Sequence, residues 1–158
     1  MTDSYAEFLR QKIKLASFKG FDVAEAEVNP ALKPHTRQIV RWAVQGGNRA
    51  VFASFGLHKT ATQLECMRLI GRYRPGLRCI VIPLGVRQEF FREVAQRFQG
   101  EHSIDLRFVR QDSEIDDPAT VYLTNYETIR EGKIDPRRLR AASLDEASVL
   151  RSFGSKTY

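Results

Sequence analysis

Two short groups of reactive side chains stand out in the sequence, one near residue 59 and one near residue 145. In the stretch AVFASFGLHKTA, residues 50–61, an apolar run breaks at Gly56, and Lys59 and Thr60 then open a segment with helical spacing. A strand, a tight loop and a helix in this order can hold a phosphate, because the N–H groups of the loop and first helical turn point at the anion and the lysine adds positive charge. The threonine hydroxyl is a suitable ligand for Mg2+.

The second group lies in the stretch AASLDEASVLRS, where Asp145 and Glu146 follow a short strand of small residues that ends at Leu144. At the carboxyl edge of a parallel sheet, these two carboxylates lie beside a phosphate loop carried by another strand. Asp145 would then hold Mg2+, largely through water, and Glu146 would orient or deprotonate an attacking water. The alternative is an exposed acidic pair that caps the next helix, a position for which Asp is well suited.

The loop before Lys59 departs from the general phosphate-loop pattern G-x-x-x-x-G-K-[ST] at one position. His58 stands where the second glycine is expected. Glycine is used there because the backbone approaches the phosphate with dihedral angles that a Cβ atom opposes. His58 therefore either adds a donor to the phosphate or blocks the site, and an ordinary strand-to-helix turn remains the alternative. The candidate phosphate-binding residues are Ser54, Phe55, Gly56, Leu57, His58, Lys59 and Thr60.

Hydrophobic spacing predicts the elements that must position these two groups. A buried strand followed by an amphipathic helix, as in residues 77–98, makes a βαβ unit and implies a parallel sheet with helices on both faces. A helix is predicted from Pro34 to the Gly46-Gly47 pair, since proline suits the first turn and glycine the end. Further predicted elements are an N-terminal helix in residues 1–19, a helix after Lys59, and strands within residues 50–53, 104–110, 120–126 and 141–144.

Length, charge and cysteine content bound the class of protein. The chain of 158 residues is long enough for one domain with a substantial core, and its net charge of +6 gives weak support for a polyanionic partner. Cys66 and Cys79 lack a C-x-x-C spacing, which indicates reduced core thiols and no metal site. No signal peptide or membrane-spanning run is evident, so the cytoplasm is the predicted compartment.

Taken in order, the phosphate loop, the strand ending at Pro83, the TNYE segment and the Asp145-Glu146 pair carry a family resemblance. The chain resembles the first RecA-like lobe of superfamily-two DNA helicases and translocases, in particular the Swi/Snf-type branch and the related helicase-like proteins of phages and mobile elements. The resemblance covers residues 20–158, a partial helicase ATP-binding domain. It implies a P-loop RecA-like α/β fold, ATP and Mg2+ as cofactors, and double-stranded DNA, held through its backbone, as a partner.

The resemblance also implies roles for particular residues. The ATP-phosphate motif falls on residues 53–60, with Lys59 on the phosphates, and Thr60 and Asp145 on magnesium. The DExx box falls on residues 145–148. Its Asp145 and Glu146, together with Lys59 of the phosphate motif, are the catalytic candidates. Two segments, PLGVRQ and LTNYE, are similar to motifs that touch a nucleic-acid backbone. Their candidate contacts are Arg87, Gln88, Thr124 and Asn125, with ordinary strand-end turn chemistry as the alternative for the last two.

Three departures from the family pattern shape the functional hypotheses. Besides His58, Thr36 stands where the family has an adenine-reading glutamine, and the sequence stops soon after the DExx box. We therefore expect a lobe truncated after that box, which needs a second RecA-like lobe in the same or a separate chain and does not unwind DNA alone. The rival hypothesis is a degenerate, non-catalytic remnant or nucleic-acid-binding module. A small stand-alone P-loop NTPase or kinase is disfavoured because nothing resembling a lid or acceptor site follows.

Overall fold

The computed structural model describes residues 18–54 and 56–147. Most of the predicted N-terminal helix, Phe55 of the phosphate loop and Ser148 of the DExx box lie outside these ranges. Within them the chain forms four α-helices and four β-strands, joined by short 3-10 turns. The helices are α1 (Pro34–Gly46), α2 (Lys59–Tyr73), α3 (Arg87–Arg97) and α4 (Tyr126–Arg130), and the strands are β1 (Arg78–Ile82), β2 (Leu106–Phe108), β3 (Val121–Asn125) and β4 (Ala141–Leu144).

The four strands form one parallel sheet in the order β2-β3-β1-β4. Arg78 at the start of β1 is in register with Val121 of β3 and with Ala141 of β4, so the strands begin and end at common edges. Both central strands are buried along their whole length, whereas β4 alternates between half-buried and exposed residues. The predicted α/β class with a parallel sheet is therefore confirmed, and β4 stands at an edge of this sheet.

The two faces of the sheet are covered differently. Helices α2 and α3 pack on one face, where Leu64 and Phe90 meet Ile80 and Leu123 in the main core cluster. On the other face the short helix α4 and irregular chain cover a smaller cluster around Cys79 and Tyr122. Helix α1 packs against α2 through a third cluster, which contains Val40, Val44 and Leu69. Thus α2, whose first residue is Lys59, lies between the sheet and α1.

A buried polar network fixes helix α2 in place. The Glu65 side chain is fully buried and accepts hydrogen bonds from Arg68 at 2.7 and 2.8 Å. It also accepts one from the Asn29 backbone N–H at 2.8 Å, and the Asn29 side chain in turn donates to the Arg97 carbonyl at the end of α3. Because removal of one partner would leave a buried charge uncompensated, this network holds α2, α3 and the segment before α1 in one arrangement.

Helix boundaries follow the predicted signals. Pro34 occupies the first turn of α1, where its missing N–H costs nothing, and Gly47 ends the helix with φ +80°.

The predicted strand in residues 50–53 is wrong, since residues 50–54 adopt no regular structure and pair with none of the described strands. Phe52, in the middle of this segment, is 98% exposed. The loop before α2 therefore starts from unpaired chain.

No helix in the described ranges is long and apolar enough to cross a membrane.

Candidate functional site

The carboxyl edge of the sheet brings the two reactive groups together. Asp145 and Glu146 directly follow β4, and helix α2 begins beside them with Lys59. The Lys59 Nζ atom lies 3.7 Å from Glu146 Oε1. Both side chains are partly exposed, at 33% for the lysine and 44% for the glutamate, so water reaches the pair. Residues far apart in sequence thus share one surface.

Asp145 is held from three directions. Its backbone N–H donates to the Val81 carbonyl of β1 at 2.8 Å, and its own carbonyl accepts a hydrogen bond from the Tyr126 hydroxyl of α4 at 2.5 Å. Its carboxylate oxygen Oδ1 accepts from Gln63 Nε2 of α2 at 2.8 Å. Contacts from β1, α4 and α2 therefore fix both the backbone and the side chain of this residue.

Gln63 is itself oriented by a second contact. The Ser143 hydroxyl of β4 donates to Gln63 Oε1 at 2.8 Å, while the amide nitrogen of the same side chain donates to Asp145. Ser143 lies within β4, and Asp145 follows directly after the last residue of that strand. The amide of Gln63 therefore bridges two side chains at the end of β4.

Burial and neighbouring carboxylates raise the pKa values of two residues of the site, Asp145 and Tyr126. Burial raises the pKa of Asp145, Gln63 and Lys59 oppose that rise, and the nearby Glu146 and Glu89 carboxylates add to it. Burial also raises the pKa of Tyr126 to about 12, with further contributions from Asp145 and Glu146. The Tyr126 hydroxyl consequently stays protonated at neutral pH and remains a donor.

Thr60 and Glu89 complete the surroundings of Lys59. The Thr60 hydroxyl donates to Glu89 Oε1 of α3 at 3.0 Å. Within residues 18–54 and 56–147, no group of three or more His, Cys, Asp or Glu side chains is placed to hold a metal by itself. Thr60 and Asp145 fit Mg2+ only in its usual form, in which one or two protein oxygens are supplemented by water and substrate phosphates.

The loop before α2 contains two residues in the left-handed region. Gly56 has φ +80°, which glycine adopts readily, and His58 has φ +50° and ψ +44°. His58 is the N-cap residue directly before α2, and its carbonyl accepts hydrogen bonds from both the backbone N–H and the hydroxyl of Thr62. Burial lowers the pKa of His58, and Lys33 and Arg97 add to the decrease. The position where the pattern has glycine is therefore one where a Cβ atom is strained.

Thr36, the candidate adenine contact, lies in the first turn of α1. It is fully buried, and its hydroxyl has no hydrogen-bond partner in the described part of the chain. Adenine contact by this residue stays a prediction.

The candidate nucleic-acid contacts differ in their surroundings. Arg87 begins α3, and its guanidinium lies 4.5 Å from the ring centroid of Phe108, while the neighbouring Gln88 is exposed. Thr124 is fully buried and donates to the Val109 carbonyl at 3.0 Å. Asn125 caps α4 by accepting from the Thr128 N–H. The bonds of Thr124 and Asn125 match the strand-end alternative, and nucleic-acid contact by any of these residues stays a prediction.

Four side chains of this site were not predicted from the sequence, although weak signals existed for two of them. Gln63 lies four residues after Lys59, and residues at this spacing share a helix face. Ser143 lies two residues before Asp145, within the predicted strand 141–144 that leads into the acidic pair. Nothing in the local sequence marked the other two, which reach the site only through tertiary packing. The four residues are Gln63, Glu89, Tyr126 and Ser143.

No protein-family model and no curated protein matches this chain significantly. Assignment of a function therefore depends on the geometry of the site and on the order of its motifs.

Proposed function

We propose that this chain is the N-terminal ATP-binding lobe of a cytoplasmic, ATP-dependent DNA helicase or translocase, with a RecA-like P-loop fold, and that it binds Mg-ATP at the carboxyl edge of its sheet. The observation that supports the proposal is the 3.7 Å approach of Lys59 Nζ to Glu146 Oε1, beside an Asp145 that three other elements hold in place. Two motifs that the family resemblance pairs in function thus share one surface.

Each residue of the site has a role in this proposal. The N–H groups in the first turn of α2 and the Lys59 ammonium hold the phosphates. Thr60 and Asp145 hold Mg2+, and Glu146 orients the water that attacks the terminal phosphate. When bound, the magnesium ion supplies positive charge that stabilises the charge developing on the phosphate oxygens. A second lobe, in the same or another chain, completes the site.

The charge balance of the site makes nucleotide binding depend on a divalent cation. Asp145, Glu146 and Glu89 lie near one lysine, so an anionic triphosphate without a cation meets net negative charge. The Lys59-Glu146 pair opposes binding only weakly, because both groups are partly exposed and such pairs contribute about 1 kcal/mol or less. A nucleotide can therefore draw Lys59 away from Glu146 at little cost.

Calorimetric titration of the 158-residue chain with Mg-ATP tests the proposal. We expect binding by the wild type, loss of binding in Lys59→Ala, and loss of binding when EDTA removes the magnesium. Lys133→Ala is the matched control, since that lysine is 57% exposed and pairs with Glu131, away from the site. Equal affinity of the wild type and Lys59→Ala would contradict the proposed role of Lys59.

DNA binding is the second part of the proposal. Arg87 and Gln88 lie at the start of α3, where helix N–H groups and the guanidinium suit a phosphate and read no base. We expect Arg87→Gln to lower the slope of log affinity against log salt by about one phosphate contact. Arg92→Gln, on the same helix and exposed, is the control and should leave the slope unchanged.

A non-catalytic nucleic-acid-binding module is the second candidate. It is favoured by the left-handed backbone of His58 and by residues 50–54, which pair with no described strand. The phosphate side of the site, residues 54–60, is therefore not preceded by a strand of the sheet. This candidate predicts salt-dependent DNA binding with no Mg-ATP binding in either the wild type or Lys59→Ala. The same two titrations therefore separate the candidates.

A further inference from the structure

One contact of the site has no role in the function proposed above. Gln63 of α2 joins two residues of the β4 end, Ser143 and Asp145, and the Gln63–Asp145 bond spans 82 positions of sequence. Both hydrogen bonds are 2.8 Å long. The same helix begins with Lys59 and Thr60, so this bridge directly connects the phosphate side of the site to its acidic side.

The chemistry of the partners fixes which way the amide points. An ionised carboxylate only accepts hydrogen bonds, so the NH2 group of Gln63 must face Asp145. The amide oxygen then faces Ser143, whose hydroxyl is able to donate to it. Asp145 thus sets the orientation of the amide, and the Ser143 hydroxyl, which is able to donate or accept, holds the amide oxygen in that orientation by donating to it.

We propose that Gln63 is a positioning residue for Asp145 and that Ser143 acts through it. By occupying Oδ1, Gln63 fixes the rotation of the carboxylate and leaves the other oxygen for magnesium or its water shell. Residues that orient a metal-binding side chain in this way commonly affect metal affinity about 10- to 100-fold. This inference rests on the proposed Mg-ATP site, but it concerns residues that the family resemblance did not assign.

Three variants test the inference by calorimetric titration at several concentrations of free Mg2+. Gln63→Met has a similar length and removes both hydrogen bonds, and Ser143→Ala removes only the orienting one. Gln45→Met is the matched control, because Gln45 donates to Asp22 at 2.7 Å in an equivalent bond on the exposed surface. Thermal melting of each variant establishes that it is folded.

We expect Gln63→Met to weaken Mg-ATP binding at least tenfold and to raise the Mg2+ concentration needed for half-maximal binding. Ser143→Ala should have a smaller effect of the same kind, and no further effect when added to Gln63→Met. Gln45→Met should bind as the wild type does. If Gln63→Met does not fold, the Mg2+ dependence of Ser143→Ala alone decides the question.

The outcomes separate failure of this inference from failure of the proposed function. If the wild type binds Mg-ATP and Gln63→Met binds it equally well at every Mg2+ concentration, Gln63 has no positioning role, although the function stands. A lower melting temperature with an unchanged Mg2+ dependence identifies a purely structural bridge and also overturns the inference. If the wild type does not bind Mg-ATP, the proposed function and this inference both fail.

Discussion

The two sides of the candidate site are built in different ways. On the acidic side, Asp145 follows a paired strand and receives hydrogen bonds from α2 and α4 while its own N–H bonds to β1. On the phosphate side, residues 50–54 pair with no described strand, and Phe52 is 98% exposed. A left-handed backbone does not distinguish the two sides, because His58 before α2 has φ +50° and Glu146 after β4 has φ +52°.

This difference indicates which half of the site is organised before a ligand arrives. Asp145, fixed by two backbone contacts and one contact to its carboxylate, needs little reordering, whereas a loop that pairs with no described strand loses conformational entropy when it closes on a phosphate. In the proposed function, the loop before α2, and not the acidic side, should therefore limit the affinity for nucleotide. The following predictions test the contrast, beginning with the largest expected effect.

Replacing a buried aromatic residue of the sheet core and an exposed one of the loop before α2 should give very different losses of stability. Phe90 is fully buried under the sheet, so Phe90→Ala should lower the free energy of unfolding by about 3–5 kcal/mol. Phe52→Ala, at the exposed position in the loop, should change it by no more than about 0.5 kcal/mol. Urea unfolding followed by circular dichroism measures both values. Comparable losses would mean that residues 50–54 are packed in solution and would remove the contrast.

The hydroxyl of Tyr126 should contribute to the rigidity of the acidic edge. Tyr126→Phe leaves the Asp145 carbonyl without this donor, which should cost about 1–3 kcal/mol in unfolding free energy. Tyr73→Phe is the control, because its hydroxyl bonds to the Glu27 carboxylate at an exposed position where water can replace it. Equal effects of the two substitutions would argue against a tightly held Asp145 backbone.

The thiol of Cys79 provides a pH-dependent test of how well β1 is shielded from water. Burial raises the pKa of Cys79 to about 12, whereas the thiol of an unfolded chain ionises near pH 9. Above pH 9 the unfolded state loses the proton first, so the stability associated with this thiol falls by about 1.4 kcal/mol per pH unit until about pH 12.

Unfolding free energies of the wild type and Cys79→Ala, measured from pH 8 to pH 10, should therefore converge as the pH rises. Other groups titrate equally in both proteins and cancel in the difference. A difference that does not depend on pH would show that β1 opens easily enough for the thiol to ionise.

The smallest effect is expected at His58. Because a left-handed backbone disfavours any Cβ atom, His58→Gly should be more stable than His58→Ala by about 1 kcal/mol. The two variants both remove the imidazole, so their difference isolates the backbone strain. Thermal or urea unfolding measures it, and equal stability would mean that residue 58 is not left-handed in solution.

Local sequence signals sufficed where the local chain decides the structure. Pro34 and Gly47 marked the ends of α1, and the continuous apolar residues 79–82 marked a strand buried on both faces. The strand predicted in residues 50–53 failed because a strand requires a partner with which to pair, and an apolar run of that length does not specify one.

The site was only partly predictable for the same reason. The Lys59-Thr60 and Asp145-Glu146 pairs are local signals that the sequence displays, and the end of β4 places the second pair at the carboxyl edge of the sheet. Lys59 reaches the same edge through the packing of α2 and not through a strand before it. The Gln63 and Tyr126 contacts depend on how α2 and α4 pack against the end of β4, which periodicity alone does not determine. Glu89 reaches Thr60 only through the packing of α3 beside α2.

The most direct test of a shared phosphate pocket is a backbone amide NMR titration of the wild-type chain with magnesium and a non-hydrolysable ATP analogue. We expect the largest chemical-shift changes to occur together in residues 54–60 and in residues 144–146. Changes confined to one of these segments, or found only elsewhere in the chain, would contradict a pocket formed by Lys59 and the Asp145-Glu146 carboxylates.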